Sequence, residues 1–495
     1  MVDRAKVRQV LASALEVDAA AKATSYMTTT AELTTLWPAA QNTRDTAMNW
    51  LLERFAEAPP DLTAFVHQGR PSSYADVSRR IARFKLELDK HGVLAGHTVV
   101  VLADYAPDVF CAILALAAMA CIVVPMTRGS VIEEDEALAI SGCDQCLRFA
   151  PDGLSWTIAP RHVAAANALL EEFRAGGRAG LVLFSSGSTG KPKGMLHDFW
   201  RVMDKFRIAR NPVIAIPFLM LDHFGGINTI LAISASLGTV VTTENRSIAT
   251  ICEAIQTWSV NLLPTTPSFL TLLAASDLAR KYDLSSLTRI TYGTETMPRA
   301  TLDRIRAIFP QVELQQTYGL SEVGVLRSQS RPDGSLWVRI GGAGFETQVR
   351  DGTLWIRSDY RMVGYLNAPS GFDAEGWFNT QDRVEVDGEY FRILGRITDL
   401  INVGGQKVYP AEVEDVILAQ PNITDVVVSG EPHALLGQIV VAKVSLAQAE
   451  APDVLRTRLR KACLARLTAF KVPAKVLLLE PQQEIYSSRF KKLRH

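Results

Sequence analysis

The chain has 495 residues, of which 48% are hydrophobic and 21% charged, and its 52 Lys+Arg balance its 52 Asp+Glu to a formal net charge of zero. That composition fits a globular chain of two or three domains, and the balance excludes a global field steering it to nucleic acid or an anionic membrane. The cysteines Cys111, Cys121, Cys143, Cys146, Cys252 and Cys463 are scattered and read as reduced thiols of a cytoplasmic protein. Cys143 and Cys146 form a C-x-x-C pair, but no second pair or following histidine makes it a redox or zinc motif.

Residues 1–44 stand apart: the charged helical stretch VRQVLASALEV (7–17) gives way to the Thr-rich TSYMTTTAELTT. Charges at Asp3, Arg4, Lys6 and Arg8 interrupt any apolar run, so this end does not read as a signal peptide. It is expected to be an extension carrying a capping or docking helix. From Asp45 the pattern is α/β. HTVVVLAD (97–104) reads as a buried strand. VFCAILALAAMACIVVP (109–125) carries no charge, falls short of a bilayer span, and splits into a small-residue helix and the strand CIVVP. GLVLFSS (180–186), TVVTTE (239–244) and NLLPTT (261–266) continue the strands, with helical stretches between. Apolar strands alternating with helices predict mostly parallel sheets covered on both faces. After Gly334, SLWVRIGG, FETQVRDGTLWIRS and RVEVDGEYFRILG predict a small antiparallel section. From Arg396 a compact α+β piece follows. Its helices are VYPAEVEDVILAQ and VLRTRLRKACLARL, and its strands are ITDVVVSGE and GQIVVAKVSL. The expected division is an extension at 1–44, a large α/β domain at 45–395 and a small mobile C-terminal α+β domain at 396–495.

The loop after GLVLFSS is SSGSTGKPKG (185–194). Glycines directly after a buried strand let backbone amides turn toward an anion, and Ser185, Ser186, Ser188, Thr189, Lys191 and Lys193 add hydroxyls and charge. It is not a Walker A loop, because only two residues separate Gly187 from Gly190 and Pro192 follows Lys191. Further on stand TYGLSE (317–322), WFNTQD (377–382), GRITDLINVGGQKVYPAEVE (395–414) and the lysine-rich tail SSRFKKLRH.

In this order and spacing, these segments resemble the adenylate-forming superfamily: acyl- and aryl-CoA ligases, nonribosomal peptide synthetase adenylation domains and luciferase. The resemblance covers roughly residues 45–495. It implies that ATP and Mg²⁺ convert a small carboxylic acid to an acyl-adenylate with release of pyrophosphate. The acyl group then passes to a thiol, of coenzyme A or of the phosphopantetheine of a carrier protein. By resemblance, Ser185, Ser186, Gly187, Ser188, Thr189, Gly190 and Lys193 cradle phosphates, with Thr189 the best single candidate. Tyr318 stacks on adenine beside Gly319. Ser321 stands where the family has Thr, and Glu322 is the Mg²⁺ ligand. Asp382 and Arg396 contact ribose, although Gln381 replaces the usual Gly. Thr398 occupies the hinge position, where Asp or Lys is usual, and Gly404 and Gly405 belong to a loop lining the thiol tunnel. Lys491 matches the catalytic lysine, although Phe490 replaces the preceding Gly and Ile485 and Tyr486 replace Pro-Arg. A shift of one residue would make Lys492 the catalytic group.

The acyl pocket implied by the resemblance draws on MLDHFGGIN (220–228), TYGTETM (291–297) and TYGLSEVG (317–324). His223, Phe224, Gly225, Gly293 and Thr294 line it, and Glu295 falls in the stretch that also contacts adenine. Asp222 either N-caps the helix beginning HFGGINTILAI or pairs with the ammonium of an amino-acid substrate. Residues 456–494 hold eleven Lys or Arg and two Asp or Glu. That face would suit an acidic acyl-carrier protein acting in trans, or the phosphates of coenzyme A. The alternative to a ligase is a degenerate member that binds nucleotide or acyl ligand without turnover.

Overall fold

Val99, Val100 and Val101 expose no surface at all, which requires a strand covered on both faces. The computed structural model describes residues 46–161, 167–185, 191–479, 486, 487 and 492, so the expected extension at 1–44 lies outside the described residues. The three valines lie in Thr98–Leu102, within a seven-stranded sheet. Ile122–Met126 and Gln145–Phe149 flank this strand in parallel, and Gly180–Ser185 continues parallel beside Ile122–Met126. Lys193–Asp198, Gly364–Tyr365 and Trp156–Pro160 complete the sheet as antiparallel members.

A second seven-stranded sheet holds six parallel strands: Glu313–Gln316, Arg289–Tyr292, Leu262–Thr265, Ile214–Ala215, Thr239–Val241 and Thr63–His67. Arg70–Ser73 is its antiparallel edge. The uncharged run at 109–125 splits as expected, into the helix Pro107–Ala118 and the strand Ile122–Met126. Every residue from Val109 to Ala117 in that helix is buried, as befits a helix that is apolar all round. One core unites Phe55, Tyr74, Ile113, Phe199 and Ile230.

The antiparallel section is a six-stranded sheet of Arg327–Ser330, Val338–Gly341, Tyr390–Arg396, Phe378–Asp387, Thr353–Ser358 and Phe345–Arg350. It starts before Gly334, with a short polar strand (RSQS) that carries no apolar alternation. Beyond Arg396, the strands Ile401–Val403, Gln406–Val408, Ile423–His433 and Gly437–Leu446 pair antiparallel. Lys475–Leu478 joins Gly437–Leu446 in parallel, a strand the sequence reading did not identify. The helices Pro410–Leu418 and Pro452–Leu464 cover this sheet through Val413, Ile417, Leu455 and Leu459. Among the described residues no helix is long and apolar enough to cross a membrane.

All six cysteines are buried as free thiols. Burial pushes the thiols of Cys121 and Cys143 up to about 12. A thiol reagent at mildly alkaline pH is therefore expected to label the native protein only upon unfolding; rapid labelling of the native chain would contradict this packing.

Candidate nucleotide and acyl site

The motifs follow the carboxyl ends of neighbouring parallel strands, where open α/β sheets bind ligands. TYGTETM continues Arg289–Tyr292, TYGLSEVG continues Glu313–Gln316, and LDHF follows Ile214–Ala215. Gly293 and Gly319 are positions where only glycine fits. A Cβ on Gly293 would lie 2.4 Å from Thr317 Oγ1, and one on Gly319 would lie 2.7 Å from Val325 Cα. Thr294 is exposed and holds φ at +72°, a strained conformation for a β-branched residue.

Ser185 ends its strand directly opposite Lys193, where Gly180–Ser185 and Lys193–Asp198 pair as an antiparallel hairpin. Ser186, Gly187, Ser188, Thr189 and Gly190 lie outside the described residues. Two residues that the sequence reading missed brace this hairpin. Asn367 donates from Nδ2 to the Pro192 carbonyl at 2.8 Å and accepts the Gly194 N–H at 2.9 Å. Tyr365 pairs with Met195 in the sheet, and the Lys193 ammonium lies 5.1 Å from its ring centroid. The Tyr365 hydroxyl donates to Glu322 Oε1 at 2.8 Å. Burial, then the Glu322 carboxylate, push this phenol well above its usual range. Glu322 Oε2 has no hydrogen-bond partner among the described residues. It therefore offers a hard oxygen near the loop mouth, as a magnesium ion bound mainly by phosphates requires. Ser321 sits beside Glu322 in the turn between Gly319–Leu320 and Gly324–Val325.

Asp382 and Arg396 face each other across antiparallel strands. The Arg396 Nε lies 3.3 Å from Asp382 Oδ1, and the Tyr318 hydroxyl donates to Asp382 Oδ2 at 2.5 Å. Asp382 is 7% exposed, and burial outweighs the pull of Arg396, holding its carboxyl above the usual range. Gln381 adopts φ +59°. The backbone thus takes a left-handed conformation despite the side chain, at a cost of about 1–2 kcal/mol. Thr398 lies exposed in the short 3₁₀ turn Ile397–Asp399. Gly404 and Gly405, at φ +57° and +86°, turn the chain between Ile401–Val403 and Gln406–Val408.

On the acyl side, the structure corrects the expected helix cap. The N-cap of Phe224–Ala235 is His223, whose Nδ1 accepts the Gly225 N–H at 3.0 Å. That bond leaves the ring proton on Nε2. Asp222, one residue too early to cap, is buried. Its carboxylate and the Arg246 guanidinium both act on the Tyr105 hydroxyl, which burial raises far above its usual range. Phe224 is buried against His197 at 5.0 Å between ring centroids, and Gly225 is buried beside it. Phe224 is therefore packed in the core on at least one face rather than presented as open lining.

Lys491 lies outside the described residues; Lys492 does not. Its ammonium donates to the Val426 carbonyl at 2.7 Å and lies 3.4 Å from Glu414 and 3.7 Å from Asp425, all three side chains 6% exposed or less. Tyr486 donates to Asp425 and bridges Lys492 in antiparallel fashion. Lys492 is thus an internal ion-pair residue of the C-terminal domain. Its backbone N–H donates to Glu295 Oε1 at 2.8 Å, while Glu295 Oε2 accepts the Ser268 hydroxyl at 2.5 Å. In this structure both oxygens of the Glu295 carboxylate are held by protein groups. The domains also meet where Asp415 accepts the Ala300 N–H at 3.1 Å and Arg304 donates to the Leu418 carbonyl at 2.6 Å. The basic segment is partly neutralised. Arg458 pairs with Glu450 and Lys471 with Glu412, at 2.8 and 2.7 Å, and Lys475 pairs with Glu431. This weakens the case for a basic docking face.

Residues 52–142 and 156–366 match the model of the AMP-binding enzyme family, and residues 412–484 match that of the AMP-binding enzyme C-terminal domain. The chain belongs to the AMP-binding enzyme family. It is 31% identical to Acyl-CoA synthetase 7 of Caenorhabditis elegans over 295 residues, 53% of this chain and 54% of that protein. It is 29% identical to 4-coumarate--CoA ligase-like 2 of Arabidopsis thaliana over 295 residues, 53% of this chain and 52% of that protein. These matches span about half the length of each relative. Against Long-chain-fatty-acid--CoA ligase FadD13 of Mycobacterium tuberculosis the identity is 25% over 484 residues, 88% of this chain and 94% of that protein. The fold is shared with the anthranilate CoA ligase AuaEII in complex with anthranoyl-AMP, at TM-score 0.76 and 18% identity, covering 90% and 95% of the two chains. It is also shared with the amide bond synthetase McbA of Marinactinospora thermotolerans, at TM-score 0.72 and 22% identity, covering 90% and 97%.

Replacing Lys492 with methionine leaves Glu414 and Asp425 buried without their cation. Lys492→Met is expected to destabilise the protein by about 3–5 kcal/mol, read as a lower denaturation midpoint. An unchanged midpoint would refute the structural assignment of Lys492.

Proposed function

We propose that this AMP-binding family member activates a small carboxylic acid with ATP and Mg²⁺ and transfers the acyl group to a thiol, of coenzyme A or of a carrier-protein phosphopantetheine. The observation that carries the reading is the convergence of Tyr318, Asp382 and Arg396 with Glu322, Tyr365 and Lys193, linked by the Asp382 and Glu322 carboxylates. In this reading the Ser185–Lys193 hairpin holds the phosphates through its backbone amides and Thr189. Asp382, oriented by Tyr318 and Arg396, accepts hydrogen bonds from the ribose hydroxyls. Glu322 would hold Mg²⁺, which when bound offsets charge on the phosphate oxygens. A carboxylate oxygen of the acid attacks the α-phosphorus, and the α–β bond breaks with its electron pair leaving on pyrophosphate. Lys491 stabilises the charge that develops at this step. A thiolate then attacks the acyl carbon, the carbon–oxygen bond breaks, and AMP departs. His223, with its proton on Nε2, and Gly293 and Thr294 line the acyl side. Because Arg246 acts on the same hydroxyl as Asp222, we read Asp222 as part of the wall rather than as an ammonium receptor.

The test is ATP–pyrophosphate exchange over a panel of aryl, fatty, amino and dicarboxylic acids. One acid class is expected to support exchange, and Lys491→Ala is expected to slow it by about 100-fold or more without moving the denaturation midpoint. Binding of ATP without exchange for any acid would favour the degenerate, non-catalytic reading.

A further inference from the structure

Residues 362–367 (MVGYLN) bond to both parts of the site that would meet the phosphates. On one side, the Met362 N–H donates to the Glu322 carbonyl at 2.9 Å, and the Tyr365 hydroxyl donates to Glu322 Oε1 at 2.8 Å. On the other, the Val363 N–H donates to the Leu196 carbonyl at 2.7 Å and the Leu366 N–H to the Gly194 carbonyl at 2.8 Å. Asn367 adds its bonds to Gly194 and Pro192 at the end of the glycine-rich loop. This short segment therefore fixes Glu322 and the strand that begins at Lys193 relative to one another.

Within the segment, Tyr365 reaches a charged group on each side. Its hydroxyl holds one oxygen of Glu322, and the Lys193 ammonium lies over its ring, 5.1 Å from the centroid. Pairing with Met195 fixes its backbone beside the hairpin. Burial and the Glu322 carboxylate keep the phenol protonated, so it acts as the donor. Covering Lys193 alone would need only a phenyl ring, and pairing with Met195 needs no particular side chain. The hydroxyl adds the hold on Glu322. Hydrogen bonds to a ligating carboxylate orient it for its metal. A ring face likewise gives direction to an ammonium on a flexible stem.

We infer that Tyr365 is a positioning residue for metal-bound ATP: it holds the Glu322 carboxylate and the Lys193 ammonium in one fixed arrangement, ready for a metal and the phosphates it accompanies. The inference rests on the reading of Glu322 as the Mg²⁺ ligand. Tyr365 acts through Glu322 and Lys193 rather than on the nucleotide, and its two parts do separable work. Without the hydroxyl, Glu322 loses its orienting donor, so the advantage that Mg²⁺ gives to ATP binding shrinks. Without the ring, Lys193 loses its seat, so phosphate binding weakens with or without the metal.

The test measures ATP affinity by calorimetry, without any acid, in saturating Mg²⁺ and in EDTA. Wild-type protein is expected to bind ATP more tightly with Mg²⁺. Tyr365→Phe is expected to lower the ratio of the two affinities by about 10-fold or more, with the affinity in EDTA and the denaturation midpoint unchanged. Tyr365→Leu is expected to lower the ratio equally and to lose a further 2- to 5-fold, roughly the size of an exposed cation–π contact, in EDTA as well. Tyr365→Phe keeps the ring and its packing, and decides the inference should Tyr365→Leu fail to fold. Glu322→Gln tests the underlying reading. If Glu322→Gln lowers the ratio and Tyr365→Phe does not, the inference is overturned while the metal reading stands. If neither lowers it, both are overturned. A Tyr365→Phe protein with a lower midpoint and an unchanged ratio would show a purely structural tyrosine and overturn the inference too.

Discussion

The Asp382 carboxylate is the point on which the assembly of the site depends. Three separate parts of the chain meet at it. Tyr318 reaches it from the end of the parallel sheet, Asp382 itself lies in the antiparallel sheet, and Arg396 ends the strand that leads into the C-terminal domain. A carboxylate this buried is stable only with donors around it. Burying it therefore fixes the two sheets and the exit strand relative to one another. The register Asp382↔Arg396 supplies one donor by strand pairing alone. The other comes from a motif 64 residues earlier in the chain.

The same logic joins the two domains. Glu295 holds Ser268 with one oxygen and the backbone of Lys492 with the other, while the Lys492 side chain is locked among Glu414, Asp425 and Val426. A few polar contacts at Asp415 and Arg304 complete the junction.

Much of the fold was legible because the signals were local. The valine-rich strands, the uncharged helix–strand run at 109–125 and the DG turns of the antiparallel section each declare themselves within a few residues. What escaped depends on partners far apart in sequence. Tyr365 and Asn367 matter because they meet Glu322 and Gly194, 43 and 173 residues away. Ser268 matters because it meets Glu295. The sequence could not separate Lys491 from Lys492, since two adjacent lysines carry the same chemistry. Burial against Glu414 and Asp425 distinguishes Lys492. The cap was misplaced for a related reason. Asp222 and His223 both carry acceptors, and only the backbone path shows that His223 reaches the Gly225 amide. Gln381 and Thr294 hold left-handed backbone against their own preference, so the fold keeps that geometry there whatever the residue.

The most direct test of acid activation follows the oxygen atom that moves. With an acid carrying heavy oxygen in its carboxylate, the account predicts that AMP released after thiol transfer contains one labelled oxygen, seen by mass spectrometry. Unlabelled AMP, or formation of ADP and phosphate in its place, would contradict attack of the carboxylate on the α-phosphorus.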